Sequence, residues 1–369
     1  MTMANGQESA LLAAMPPGIG DLTFGSQEWV NAAREVLTNA VTQHADALAD
    51  LGTFTLCEVS HNAPAWLHCG GKLAWWARFD GASVTIEAGE LDADECDYKA
   101  QADHSLMSIM ARITNTGTDP QTVAAAQARI HALARAQIDG GIKEHLGLYT
   151  LLGILHDEMA PRTMARFVFM TPEWVANARY ILTTRAASEK YRADLRGVNY
   201  TFSEQFTHTP KYAFPDGSDG GFWVRCSNGL ITVGAGPLPE AMAPADRLTL
   251  GMYTPVVPVG RSVNASSSAA EKQELEAYVK AALRFDKESG RRPVEQTSPT
   301  GQDMPEGLAR VFAPLHDELS MRTSGELPSD YDDSIKAVWA KPTLFDREPG
   351  YDASWVLYDQ VDIYGNPRK

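Results

Sequence analysis

The sequence predicts an α+β protein made of two related halves, each a mostly antiparallel sheet covered by helices. Three observations predict it. A set of segments recurs in the same order along the chain, each half opens on a helical period and then breaks into short strands, and 369 residues suffice for about two domains with cores of their own.

The recurring segments set the frame. Glu28-Trp29-Val30-Asn31-Ala32-Ala33-Arg34 returns as Glu173-Trp174-Val175-Ala176-Asn177-Ala178-Arg179, and Phe54-Thr55-Leu56-Cys57-Glu58 returns as Tyr200-Thr201-Phe202-Ser203-Glu204. Trp76-Ala77-Arg78-Phe79 then matches Trp223-Val224-Arg225-Cys226, and Ala88-Gly89 matches Ala235-Gly236. Last, Leu155-His156-Asp157-Glu158 with Arg162-Thr163 returns as Leu315-His316-Asp317-Glu318 with Arg322-Thr323. The spacing is nearly constant through the strands and lengthens before this last motif. The extra length falls at Ser289 to Gln302, whose Pro, Gly and Ser content is that of an exposed loop. The division that follows is a 1–25 extension, a first repeat over 26–168, a second over 169–328 and a 329–369 extension.

Within the first repeat, Trp29, Val30, Ala33, Val36, Leu37, Ala40 and Val41 recur at helical spacing behind Ser26, so a helix is expected over Gln27 to Asp50 with that serine as N-cap. Phe54 to Ser60, Leu73 to Phe79 and Ser83 to Ala88 are β-branched or aromatic and are separated by Gly70-Gly71 and Asp80-Gly81, the pattern of an antiparallel meander. A fourth strand runs through Cys96 to Ala102. Asp103-His104-Ser105 then caps a short helix, Leu106 to Ala111, and helices over Thr122 to Gln137 and Glu144 to Met159 complete the unit. The second repeat gives a helix over Pro172 to Leu195, strands near Tyr200 to Phe206, Gly221 to Cys226 and Leu230 to Val233, and helices over Ala269 to Phe285 and Glu306 to Leu319. In the tail, Asp352 to Tyr364 carries apolar residues that suit a strand or a wrapping segment.

Composition narrows the function. With 32 Lys and Arg against 47 Asp and Glu the net charge is -15, which disfavours nucleic acid and anionic membranes as partners. Cys57, Cys69, Cys96 and Cys226 show no CxxC or zinc-ligand spacing, the N-terminus has no basic region before its short apolar run, and no segment is apolar enough to span a bilayer. A cytoplasmic protein is expected, with a homodimer left open. No phosphate-binding glycine loop, dinucleotide fingerprint, HExxH or GxSxG occurs, and Pro237 removes an amide from Gly234-Ala235-Gly236.

Leu73-Ala74-Trp75-Trp76-Ala77-Arg78-Phe79-Asp80-Gly81, followed by Cys96-Asp97-Tyr98-Lys99-Ala100-Gln101-Ala102-Asp103 and the helix after it, resembles the sterol carrier protein type 2 family. The second repeat is similar at Trp223 to Val233 and at Ala245 to Tyr253. The resemblance implies a tandem pair of domains, each a five-stranded, mostly antiparallel sheet covered by helices around an apolar tunnel for lipids, sterols or acyl chains. It implies a hydrophobic small molecule as partner. The long helices after Thr114 and the repeated Leu-His-Asp-Glu motif depart from the small carriers.

Two groups of polar residues are candidates for chemistry. Residues an even number apart on a strand share a face, so Glu204 points with His208, and Glu58 with Asn62. A buried carboxylate beside an imidazole is an acid/base pair; the plainer reading is a cross-strand salt bridge from Glu58 to Arg78, or from Glu204 to Arg225. The second group is His156 and His316. Either they face a ligand cavity, or the motif only supplies the i,i+4 helix-surface ion pairs Glu158–Arg162 and Glu318–Arg322. No cofactor is expected, and a metal held by histidine and glutamate is the minor alternative. His68, His104, His131 and His145 have no copy and read as surface or capping residues. Trp66, Trp75, Phe79, Phe202 and Phe222 add aromatic surface to one sheet face, most of it core packing; where such residues line a tunnel, Trp76, Trp223, Phe54, Tyr200, Arg78 and Arg225 are expected around a flat apolar ligand. The reaction suited to these groups is a cofactor-independent lyase, hydratase or hydrolase step; the alternative is a non-catalytic carrier.

Overall fold

Thr53 to His61 forms strand β1, whose residues are buried on both faces, and two neighbours complete its ladders in opposite senses. On one side β2 (Lys72–Asp80) runs antiparallel, with Glu58 opposite Trp75 and Leu56 opposite Ala77; on the other β4 (Tyr98–Asp103) runs parallel, with Leu56 opposite Tyr98. β3 (Ser83–Ala88) and β5 (Ala136–Gly140) pair antiparallel at the two edges, giving the order β3-β2-β1-β4-β5. This computed structural model describes residues 10–48, 52–64, 67–114, 118–133, 136–141, 146–206, 214, 216, 218, 220–239, 247–252, 295–297 and 304–324. The chain divides into two compact units, with the change between Ala165 and Arg166.

In the N-terminal unit, α1 (Ala10–Ala13) packs on α4 (Pro120–Leu133), and α2 (Gln27–Gln43) packs on β3 and on α5 (Leu146–Met159). The seven apolar residues that predict α2 are all buried, and Ser26 accepts from the Trp29 amide at 3.2 Å as the N-cap. Arg34 holds the helix to the sheet by donating Nε and Nη2 to the Ile86 carbonyl. Asp103 caps α3 (His104–Met110) through Ser105. Thr163 closes the unit: its hydroxyl donates to the Met159 carbonyl and accepts from Trp29 Nε1 at 2.9 Å, while Leu22 and Thr163 form a parallel bridge.

In the C-terminal unit, β7 (Asn199–Phe206) stands between antiparallel β8 (Gly220–Ser227) and parallel β10 (Arg247–Met252). With β9 (Leu230–Ala235) and β11 (Glu295–Thr297) at the edges the order is β9-β8-β7-β10-β11. The centre strand is thus flanked as β1 is. α6 (Pro172–Ala186) packs on β9 and donates Arg179 Nε to the Val233 carbonyl, and α7 (Glu189–Leu195) lies against α8 (Glu306–Met321). Thr323 accepts from Trp174 Nε1 at 2.8 Å and donates to Leu319, and β6 (Phe167–Val168) pairs parallel with β12 (Thr323–Ser324).

Four sequence expectations change. The first helix ends at Gln43, where His44 leaves helical geometry, and Ala45–Leu48 forms a separate 3-10 turn. The helix expected through Gln137 stops at Leu133, because Ala136–Gly140 pairs with β4 and ladder formation overrides local preference. Pro172 to Leu195 is two helices, broken before Ser188. The stretch expected as a plain loop carries β11, an edge strand on β10. The helix expected over Ala269 to Phe285 and the Asp352 to Tyr364 segment lie outside the described residues.

Candidate functional site

The site forms where one face of the first sheet meets α3 and α5. Leu56 and Glu58 of β1, Trp75 of β2 and Tyr98 of β4 share that face by register. From above, α5 contributes Tyr149, Leu152 and His156 at i, i+3 and i+7, one helix face. Between them lies a cavity of about 460 Å³, whose remaining wall includes Phe24, Trp29, Met107 and Met110. This size suits a drug-sized ligand.

Glu58 is the anomaly in this apolar wall. Its Oε2 accepts a hydrogen bond from Trp75 Nε1 at 2.9 Å, the one hydrogen bond made to it among the described residues. Burial pushes the carboxyl from its ordinary value up to about 7, against the opposing effect of the Trp75 bond. Trp75 is itself fixed by packing, its ring 5.3 Å from Trp29, which stacks edge-on with Phe24 at 4.7 Å. Burial lowers the pKa of His156, while Asp157 and a backbone hydrogen bond at Ile113 act in the opposite direction. Tyr98 is pushed up to about 12 by burial and by the nearby charges of Glu58 and Tyr149. A buried carboxyl with its pKa raised to about 7 and an imidazole with its pKa lowered therefore line one cavity, groups able to exchange protons near neutral pH.

Several expected site residues are elsewhere. Arg78 is exposed and stands opposite Thr55, on the face away from Glu58, and Arg225 likewise stands opposite Thr201; neither cross-strand salt bridge forms and neither arginine lines the cavity. Trp76, opposite Cys57, also faces away. Trp223 is buried over Gly234, where any side chain would collide with its indole. In a strand a one-residue choice selects the face, and Trp75 rather than Trp76 is the inward member of the pair. Phe54 shares the Glu58 face but is 3 % exposed and is not among the described residues that line the cavity, and Tyr200 is buried on the Glu204 face.

In the second sheet Glu204 stands opposite Phe222, and burial alone raises its carboxyl to about 7. Its surroundings are aromatic: Phe202 meets Phe222 and Phe312 edge-on at 5.5 and 5.6 Å. His208 and the side chain of His316 lie outside the described residues. The i,i+4 ion pairs both form, but differently: Glu158–Arg162 is exposed at 3.5 Å, whereas Glu318–Arg322 is buried at 3.1 Å, which corrects its reading as a surface pair. His104 is not a surface residue either; it is fully buried, with Nε2 3.1 Å from the Phe24 carbonyl oxygen. Among the described residues no three His, Cys, Asp or Glu gather as a metal site, and no helix is long and apolar enough to cross a membrane.

Helical spacing back from His156 gives Leu152 and Tyr149, which the sequence reading misses, whereas Tyr98 joins the site only through the parallel register of β4 against β1, opposite Leu56.

Two solved structures resemble part of the chain. The solution structure of a conserved hypothetical protein from Thermus thermophilus, suggested to be a sterol carrier protein, is 13% identical and matches 41% of this chain and 96% of its own, with a TM-score of 0.27. A crystal structure of sterol carrier protein 2 is 15% identical over 38% of this chain and 99% of its own, with a TM-score of 0.26. No family model and no curated protein sequence matches.

Proposed function

We propose that residues 10–165 bind a hydrophobic small molecule in the cavity between sheet and α5, and transform it by acid/base chemistry at Glu58 and His156 without a cofactor. The observation that carries this reading is the placement of both groups on the wall of one apolar cavity of about 460 Å³. Apolar walls supply binding through burial of ligand surface. The carboxyl, with its pKa near 7, exchanges a proton at small cost, and the neutral imidazole serves as its counterpart in a lyase, hydratase or hydrolase step. Glu204 takes the same place in the second sheet.

We further propose that the chain is a tandem duplication of a sterol-carrier-like domain. In support stand the matching strand orders, the Trp29–Thr163 and Trp174–Thr323 hydrogen bonds, and the Arg34 and Arg179 ties to the edge strands. A second reading, a carrier without turnover, is favoured by the Trp75 bond, which satisfies the Glu58 carboxylate as a structural role would.

Native mass spectrometry of protein from its own host, with the co-purified ligand then offered back to wild type, Glu58→Gln and His156→Gln, tests these readings. Conversion by wild type that both variants lose supports the enzyme. Binding without conversion leaves the carrier. Recovery of protein that carries no apolar molecule and takes up none contradicts both.

A further inference from the structure

The reading of the N-terminal cavity as a hydrophobic binding site leaves open which apolar molecules it takes. The polar groups on its wall answer part of that question. They are Glu58, Tyr98, Tyr149 and His156; among the described lining residues there is no lysine or arginine.

The groups that face Glu58 come from three elements. Trp75 on β2 donates to Oε2, Tyr98 stands beside it on β4, and Tyr149 and His156 face it from α5. None carries a permanent positive charge. The imidazole, the one group able to become cationic, is held toward its neutral form by burial. An anionic headgroup brought into this cavity would lose its water and at pH 8 would meet the Glu58 carboxylate. A carbonyl or hydroxyl oxygen meets the opposite situation. The tyrosine hydroxyls and the protonated carboxyl are donors that an uncharged oxygen can accept from, and the Glu58 oxygen not engaged by Trp75 remains for a ligand.

We propose that this cavity selects its ligands by charge, taking neutral apolar molecules with a single carbonyl or hydroxyl oxygen and turning away apolar anions, with Glu58 as the residue that sets the selection. The selection follows the protonation of Glu58. It is strongest at pH 8 and relaxes toward pH 6, where the carboxyl is protonated and repulsion disappears.

The test compares 1-dodecanol with laurate, which share a chain and differ in headgroup charge, by calorimetric titration of the full chain, with progesterone as a neutral ketone. Wild type at pH 8 should bind 1-dodecanol at least about tenfold more tightly than laurate. Lowering the pH to 6 should tighten laurate binding severalfold and leave 1-dodecanol unchanged, a comparison that needs no variant. In Glu58→Gln the gap at pH 8 should narrow severalfold, to what wild type shows at pH 6. Laurate binding as tightly as 1-dodecanol to wild type at pH 8, or a gap unmoved by pH, would overturn the charge selection while leaving the cavity a hydrophobic binding site. Failure of all three probes to bind wild type or variant would overturn the binding reading itself, and the selection with it.

Discussion

The two sheets present the same glutamate to different neighbours. In the N-terminal unit Glu58 stands opposite Trp75 and accepts its indole N–H, beside a cavity; in the C-terminal unit Glu204 stands opposite Phe222, which has nothing to donate, among edge-on phenylalanines. The helical ion pair differs in the other direction. Glu158–Arg162 lies in solvent, while Glu318–Arg322 is buried. One recurring pattern of polar residues thus sits in two settings: in the first unit the glutamate lines a cavity and the ion pair is exposed, and in the second the ion pair is buried.

The largest effect that separates the units should come from the ion pairs. Glu318→Ala takes a carboxylate away from the buried Arg322 guanidinium and should cost about 3–5 kcal/mol in urea denaturation, and the exposed Glu158→Ala at most about 0.5 kcal/mol. Equal losses would erase the distinction.

Next come the glutamates. A folded carboxyl that releases its proton near pH 7, against about 4.5 when unfolded, makes the folded state hold more protons between those values, so stability falls as pH rises through that window. Glu204→Leu should therefore stabilise the protein by on the order of 2 kcal/mol at pH 8 and far less at pH 5, and Glu58→Leu by less than Glu204→Leu, since it also deprives Trp75 of its acceptor. Denaturation curves of both variants at the two pH values check the order.

Thr163→Val and Thr323→Val probe what the units share. Each leaves a buried tryptophan N–H without its acceptor, and each should cost about 1–2 kcal/mol, alike in both units. Much of this shared frame is legible in the sequence. The strands of the meander are legible from β-branched and aromatic runs between glycine breaks, and the Ser26 and Asp103 caps from the helical spacing behind them. β5 was not legible, because Ala136–Gly140 is a strand by virtue of its partner β4 and every one of its residues is exposed. Among site residues, Glu58 and His156 are legible because each recurs in the second half, as Glu204 and His316. The face of the tryptophan pair was not, since Trp75 and Trp76 are adjacent and only the register against β1 decides between them.

The smallest effect sharpens the comparison at its centre. Trp75→Phe gives Glu58 the neighbour that Glu204 has; the loss of the N–H should move the Glu58 pKa further above 7 with a stability change of about 1 kcal/mol. A carboxyl infrared titration of the variant reads the shift, and a fall in the pKa would show that the bond does not hold the ionised form.

The proposed function requires a ligand in the space beneath α5. Leu152 lines that space from the helix face that carries His156, and a tryptophan there would fill much of it. Calorimetric titration of progesterone into wild type and Leu152→Trp tests this directly. Binding to wild type should weaken at least about tenfold in the variant, with both proteins equally folded by circular dichroism; equal affinity in the two would place the ligand elsewhere and contradict the proposed site.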